Sequence, residues 1–122
     1  MQFCDIIGQE TTKNQLRQSV RAGRIPHAQL FAGPAGVGKL ALALAYVQYI
    51  ACPHRTDEDS CGTCPTCLQF NKLQHPDFQF AFPIVKSDEG DVCDAYAEKW
   101  RGLVTEHKYF DLDDWYRVMG TE

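Results

Sequence analysis

The stretch GPAGVGKL, residues 33–40, has the residue types and spacing to hold a phosphate group. In the pattern G-x-x-x-x-G-K-[ST], backbone N–H groups near the glycines surround the phosphates, the lysine neutralises phosphate oxygens and the final hydroxyl ligates magnesium. Gly33, Gly38 and Lys39 fit this pattern, and Gly36 adds backbone freedom. We therefore predict a phosphate-binding loop here, in preference to a chance glycine-rich turn.

Leu40 departs from this pattern because its side chain has no oxygen to offer a metal ion. Magnesium bridges and neutralises the β- and γ-phosphates during phosphoryl transfer, so hydrolysis is expected to be badly impaired and Mg²⁺ binding is doubtful. The backbone N–H groups and Lys39 remain, which leaves weak binding of ATP or ADP open. No acidic metal ligand ends a predicted strand either, because Asp88 lies in a predicted loop beyond Pro83.

Four closely spaced cysteines form a second candidate site, with the spacing C-x8-C-x2-C-x2-C. Four thiolates can surround a tetrahedral Zn²⁺ ion at about 2.3 Å each and leave no open coordination position, so a zinc ion here would be structural. A redox pair would leave two thiols unexplained, an iron–sulfur cluster would use the same ligands, and His54 or His75 could replace one cysteine. The predicted metal ligands are Cys52, Cys61, Cys64 and Cys67.

The composition is that of a globular chain: 44% of the 122 residues are hydrophobic and 23% are charged. No apolar run approaches the roughly 18 residues of a membrane helix, and the first residues lack the basic and apolar regions of a signal peptide. We therefore predict a cytoplasmic protein without a membrane segment. The cytoplasm is a reducing compartment, so Cys4 and Cys93 are expected to be plain buried thiols.

The net charge of -4 gives the chain no overall attraction for nucleic acid, so any DNA contact would be local or shared with partner chains. Lys13, Arg17 and Arg21 recur every four residues, with Arg24 just beyond, and predict a basic stripe along one helix. Such a stripe is either a DNA contact or a solvated helix face, and charge runs are usually the latter.

Helix formers, glycines and prolines divide the chain into helices and two strands. The phenylalanines of FQFAF alternate with small or polar residues, as in a strand with one buried face. A parallel sheet needs more than two strands to bury its surface, so the chain is expected to be an incomplete α/β domain. The predicted helices are 9–21, 39–51, 65–73 and two aromatic helices capped by Asp94 and Asp111; the predicted strands are a buried strand at 27–32 and a second at 78–82.

The segments DIIGQE, RIPHAQLFAGPAGVGK, the four-cysteine motif and HPDF occur in an order that resembles the N-terminal half of an AAA+ ATPase module of the bacterial clamp loader. The resemblance covers roughly residues 3–82. It implies a P-loop parallel sheet flanked by helices, in which residues 1–122 form the N-terminal part of a nucleotide-binding domain and residues 52–67 are a zinc-binding insert. The nucleotide-binding positions that it implies are Ile6, Ile7 and Gly8 at the adenine, and the loop residues Gly33, Pro34, Ala35, Gly36, Val37, Gly38, Lys39 and Leu40.

In that family the gamma/tau type of subunit keeps the magnesium hydroxyl and hydrolyses ATP, whereas the delta-prime type often has a degenerate loop and acts as a rigid stator. Leu40 and the HPD sequence point to the delta-prime type. The resemblance then implies a role in loading the sliding clamp onto primed DNA, within the DNA polymerase III holoenzyme and beside the gamma/tau and delta subunits. Catalysis by this chain alone is not expected.

Three alternatives stay open: an ATP-hydrolysing gamma/tau-like motor, another P-loop NTPase and a free-standing zinc module. Residues 84–122 match no motif of the clamp-loader family. Their aromatic helices are expected to replace a missing sheet or to pack beside one.

Overall fold

The computed structural model describes residues 1–88 and 90–120, and the regular structure within them is helical. Two 3₁₀ helices, Phe3–Asp5 and Cys93–Tyr96, accompany the α-helices. None of the helices in this part of the chain has the length and apolar character that spanning a bilayer requires. The α-helices are α1 (Glu10–Arg21), α2 (Lys39–Ala51), α3 (Pro65–Asn71), α4 (Ala97–Glu106) and α5 (Leu112–Met119).

Local sequence signals set the ends of α2 and α5, and these two predictions are confirmed. Gly38 has a φ of 87° and is the N-cap of α2, a left-handed conformation that glycine adopts at little cost. Asp111 begins α5 because its side chain accepts the N–H of Asp114 at 2.9 Å, while the Asp114 side chain accepts the N–H of Asp111 at 3.1 Å. Gly120, with a φ of 83°, ends α5.

Two other helix boundaries differ from the prediction. Helix α3 ends at Asn71, because Leu73 takes a left-handed φ of 54° that a helix cannot continue through. The prediction that Asp94 caps α4 is wrong, since Asp94 lies inside the 3₁₀ helix that precedes it. This tighter turn leads into Tyr96, which is buried and donates a hydrogen bond from its hydroxyl to the carbonyl of Val85 at 3.2 Å.

The predicted parallel sheet does not form within residues 1–88 and 90–120. The β pairing described there is a single isolated antiparallel bridge between Ser87 and Gly90. A strand needs a neighbouring strand to accept its backbone hydrogen bonds, and the segments 27–32 and 78–82 have none in the described chain. The expectation of a buried strand at 27–32 is also wrong, because Leu30 is 90% exposed.

The segment 78–84 keeps the side-chain alternation of a strand without a strand partner. Phe78, Phe80, Phe82 and Ile84 are half-buried, and every residue between them is exposed. The buried set faces the cluster formed by α4 and α5. The alternation of apolar and polar residues therefore predicted which side chains are half-buried, although no strand pairing accompanies it in the described residues.

Helix α2 separates two hydrophobic clusters. We call the first the N-terminal cluster; there Ala45 and Tyr49 pack against residues of the N-terminal segment and α1. We call the second the aromatic cluster; there Leu44 packs against residues of α4 and α5. The apolar run of α2 thus reflects burial on two sides. The N-terminal cluster is Phe3, Ile6, Leu16, Val20, Ala41, Leu42, Ala45, Tyr46 and Tyr49, and the aromatic cluster is Leu44, Leu73, Tyr96, Trp100, Leu103, Val104, Trp115 and Met119.

Two tryptophans centre the aromatic cluster. Trp100 stacks on Phe82 with ring centroids 4.6 Å apart, and Trp115 meets Trp100 edge to face at 5.1 Å. The indole N–H of Trp115 also donates to the carbonyl of Pro83 at 2.7 Å. The aromatic helices therefore pack beside the extended segment 78–84, which has no strand partner in the described residues.

Replacing Trp115 by Phe should lower the free energy of unfolding by about 1 kcal/mol more than the same change at Trp100. Both substitutions remove indole volume, but only Trp115 loses a hydrogen bond, because the buried indole N–H of Trp100 has no partner within the described residues. Urea unfolding of the full chain measures both variants. Equal losses at the two positions would contradict this assignment.

Candidate metal centre and phosphate loop

The four cysteines Cys52, Cys61, Cys64 and Cys67 form one cluster, with their Sγ atoms all within 4.8 Å of one another. The Sγ atoms of Cys52 and Cys64 are 4.0 Å apart, and those of Cys61 and Cys67 are 3.9 Å apart. These separations exceed a disulfide bond, and all six cysteines of the chain are free thiols. Four sulfurs at about 2.3 Å from one tetrahedral ion lie about 3.8 Å from one another, so the cluster has the dimensions of a four-thiolate metal site.

Backbone geometry aims the thiols at one another. Cys52 follows the last residue of α2, and Cys67 lies in the first turn of α3. The N–H of Cys61 points to Cys52 Sγ at 3.4 Å, that of Cys64 to Cys61 Sγ at 3.3 Å, and that of Cys67 to Cys64 Sγ at 3.4 Å. N–H groups directed at sulfur favour the thiolate, which is the form that binds metal.

The thiols differ in how readily they ionise. Hydrogen bonds from the backbone N–H groups of Thr63 and Cys64 lower the pKa of Cys61 to about 6. Burial raises the pKa of Cys67 to about 12 and also raises the pKa of Cys52. A cation among the sulfurs would offset this burial penalty, because its charge stabilises the thiolates.

Histidine is not part of this cluster. The metal-capable group contains the four cysteines and neither His54 nor His75. The ring of His75 stacks on Phe70, with centroids 4.5 Å apart, and its Nδ1 accepts the N–H of Asp77 at 3.2 Å. The all-cysteine ligand set is therefore the one that the geometry supports.

The predicted phosphate loop connects residue 32 to α2, and its charged group is Lys39, the first residue of that helix. Lys39 Nζ donates to the carbonyl of Gly33 at 2.6 Å and to that of Pro34 at 3.3 Å. Gly36 and Gly38 both have positive φ angles, of 82° and 87°. The loop thus bends around its own lysine, whose ammonium group is held by loop carbonyls.

Leu40, at the position of the missing hydroxyl, packs against the aromatic cluster. Its side chain is half-buried and offers only carbon atoms. The first turn of α2 is thereby anchored by an apolar contact at the place where the motif would put a metal ligand.

The predicted adenine segment lies next to the loop, and Tyr109 joins the two. Ile6 is buried in the N-terminal cluster, whereas Ile7 is 86% exposed. The N–H of Ile7 donates to the hydroxyl of Tyr109 at 3.4 Å, and a Cβ added to Gly38 would lie 3.0 Å from Cε1 of Tyr109. No local pattern points to Tyr109, because 102 residues separate it from Ile7.

Lys39 borders two open clefts. One, of about 460 Å³, lies between the loop and α1 and includes Gln9 and Gln29. The other, of about 640 Å³, lies between the loop and the connector from α4 to α5, and includes Tyr109 and Asp111. The loop is therefore open to solvent on both sides of its lysine.

Two arginines of the predicted basic stripe contact the four-cysteine insert, residues 52–67. Lys13 is only 3% exposed, and its Nζ donates to the carbonyl of Ile6 at 2.6 Å, so the expectation of a solvated face or DNA contact is wrong for this residue. Arg17 Nε donates to the carbonyl of Glu58 at 2.6 Å, and Arg21 lies 3.9 Å from the carboxylate of Asp57. These arginines face residues 57–58 because α1 packs beside the insert.

The two remaining cysteines depart from their predicted burial. Cys4 is exposed, because the N-terminal 3₁₀ helix turns its Phe3 side chain into the core in place of its neighbour. Cys93 is half-buried, and its thiol donates to the carbonyl of Phe82 at 3.3 Å.

The site combines a phosphate-loop sequence, placed before a buried helix, with a four-cysteine cluster placed directly after it. The chain belongs to the family described as DNA polymerase III, delta subunit, whose model matches residues 8–107. This membership confirms the clamp-loader resemblance at the level of the family.

Several characterised proteins are similar to part of the chain. The DNA polymerase III subunit gamma/tau of Mycobacterium bovis is 36% identical over 66 residues, covering 54% of this chain and 11% of that protein. The subunit tau of Escherichia coli is 34% identical over 70 residues, covering 57% of this chain and 11% of that protein. The protein STICHEL-like 1 of Arabidopsis thaliana is 35% identical over 71 residues, covering 57% of this chain and 6% of that protein. The matched region thus spans about a tenth or less of these relatives, and no solved structure matches the chain significantly.

Replacing Cys64 by Ser should abolish metal binding, whereas replacing Cys4 by Ser should leave it intact. Cys64 belongs to the sulfur cluster, and Cys4 is an exposed thiol outside it. Elemental analysis of the purified full chain is expected to find one zinc ion per molecule in the wild type and in Cys4→Ser, and almost none in Cys64→Ser. A brown protein containing iron and sulfide would contradict the zinc assignment.

Proposed function

We propose that this chain is the N-terminal part of an AAA+ nucleotide-binding domain, residues 1–122, in a delta-prime-like clamp-loader subunit. In this proposal the subunit helps to load the sliding clamp onto primed DNA during replication. Support comes from the family match over residues 8–107 and from the similarity to gamma/tau subunits of DNA polymerase III. The order of loop, helix and four-cysteine insert in the sequence also supports it.

The observation that carries a non-hydrolysing role is the packing of Leu40. Phosphoryl transfer needs a magnesium ion bridging the β- and γ-phosphates, and the loop side chain that would ligate it is apolar and packed against the aromatic cluster. Lys39 is held by the carbonyls of Gly33 and Pro34, so an incoming phosphate would have to compete with these bonds. The chain is therefore proposed to bind ATP or ADP weakly or not at all, and not to hydrolyse it.

The four-cysteine cluster is proposed to hold a structural zinc ion in an insert, residues 52–67. Four thiolates fill a tetrahedral coordination sphere, which leaves no position for a reacting water or substrate. The insert has few apolar side chains of its own, so the metal would supply the stability that a hydrophobic core supplies elsewhere.

The proposed partners are the gamma/tau and delta subunits of the clamp loader, with the sliding clamp and primed DNA contacted through the assembled complex. The net charge of -4 gives no overall attraction for DNA, and on α1 Lys13 is buried while Arg17 and Arg21 contact residues 57–58. The subunit would act in the cytoplasm as a structural member of the complex.

An ATP-hydrolysing gamma/tau-like subunit is the second candidate. Gly33, Gly38 and Lys39 of the loop are intact, and the gamma/tau and tau relatives are 34–36% identical over the matched region. This candidate requires another oxygen, from a side chain or water, to replace the hydroxyl missing at Leu40.

ATP turnover by the full chain with magnesium should be the same in the wild type and in Lys39→Ala, because the wild-type loop lacks a magnesium ligand. Leu40→Thr should make nucleotide binding depend on magnesium, since it restores the hydroxyl of the motif. Leu40→Val is the matched control, because it has the shape of threonine without the hydroxyl. Turnover in the wild type that disappears in Lys39→Ala would establish the gamma/tau-like candidate instead.

A further inference from the structure

Asp59 lies outside the metal-ligand set, and its carboxylate binds the N-terminal segment of the chain. Asp59 Oδ1 accepts the N–H of Phe3 at 3.0 Å and that of Ser60 at 2.9 Å, and Oδ2 accepts the N–H of Cys4 at 3.0 Å. Phe3 and Cys4 open the 3₁₀ helix Phe3–Asp5, and N–H groups in the first turn of a helix have no partner inside it. The N–H groups of Phe3 and Cys4 thus both find an acceptor on the carboxylate of Asp59, which belongs to the four-cysteine insert, residues 52–67.

A second set of contacts joins the same two segments. Gln2 Nε2 donates to the carbonyl of Ser60 at 2.6 Å. A Cβ added to Gly62 would lie 2.9 Å from the amide atoms of Gln2, and Gly62 has a φ of 75°. The left-handed φ favours glycine at position 62, and the end of the Gln2 side chain occupies the space beside it.

The loop that carries Asp59 is held against α2. Gln48, which is fully buried, donates from Nε2 to Ser60 Oγ at 3.1 Å, and the hydroxyl of Tyr49 donates to the carbonyl of Thr56 at 2.7 Å. Thr56 Oγ1 in turn accepts the N–H of Asp59 at 3.1 Å. Residues 56–60 thus have one defined position relative to the helix.

The cysteine cluster closes this loop. Cys52 and Cys61 flank residues 53–60, and the N–H of Cys61 points to Cys52 Sγ. A metal ion bound to both thiolates fixes the two ends of the loop together, which lowers the entropy of its open states. On the other side of Asp59, Ile6 is buried and its carbonyl accepts the ammonium group of Lys13, so order in the 3₁₀ helix extends to the start of the predicted adenine segment.

We propose that Asp59 is a positioning residue through which the metal-binding insert holds residues 3–8. Loss of the metal then loosens the segment that carries Ile6, Ile7 and Gly8 as well as the insert itself. The inference rests on the proposed zinc site and on the proposed nucleotide-binding role of those three residues. It gives the insert a task within its own chain, namely to fix the segment beside the phosphate loop.

The test is amide hydrogen exchange of the full chain in Asp59→Asn, with Glu58→Gln as the matched control. An asparagine at position 59 replaces one acceptor oxygen by an N–H₂ donor, so it cannot accept from both Phe3 and Cys4. Exchange in residues 3–6 is expected to rise on the order of tenfold while the zinc content stays at one ion per chain. Glu58→Gln makes the same change of charge in the same loop, but its side chain is exposed, so exchange in residues 3–6 should not change.

Removal of zinc from the wild-type chain by a chelator is the second measurement. It should raise exchange in residues 3–6 together with residues 52–67. The proposal is overturned if Asp59→Asn leaves residues 3–6 as protected as in the wild type, or if chelation exposes residues 52–67 alone. A purified chain without zinc would overturn the metal link. Neither measurement uses nucleotide turnover, so failure of the non-hydrolysing role would be seen separately, in the ATP assay.

Discussion

Burial of helix α2 on both sides is the constraint on which the rest of the structure depends. Ala45 and Tyr49 are fully buried in the N-terminal cluster, and Leu44 is buried in the aromatic cluster. The phosphate loop leads into the first turn of this helix, and Cys52 follows its last turn. Thirteen helical residues span about 20 Å, so this buried helix positions both candidate sites, one at each of its ends.

At the N-terminal end of this helix, an apolar contact lies where the phosphate-loop motif places a metal ligand. Lys39 donates to the carbonyls of Gly33 and Pro34, and Leu40 anchors the helix to the aromatic cluster. Tyr109 adds a contact from the connector between α4 and α5 to the same loop. The loop is therefore held by contacts from the chain around it.

At the other end, polar contacts and thiols take the place of a hydrophobic core. The insert carries the cysteine cluster, and its neighbours reach it through hydrogen bonds and charge: Asp59 binds the N-terminal 3₁₀ helix, and Arg17 and Arg21 bind from α1. A metal ion would complete this arrangement by holding the four thiolates at a common centre. This contact explains the positions of Arg17 and Arg21 on α1, whereas Lys13 donates to the carbonyl of Ile6.

The features that depend on neighbours a few residues apart could be predicted from the sequence. These include α2 and its glycine N-cap, the cap at Asp111, the clustering of the four cysteines and the alternating burial of segment 78–82, since all follow from local backbone sterics and side-chain periodicity. Tertiary structure alone decided that no sheet forms in the described residues, that Lys13 is buried, and that Asp59 and Tyr109 reach the N-terminal segment. Each of these outcomes depends on a partner far away in the chain, and no local pattern specifies which partner a backbone group or a charge will meet.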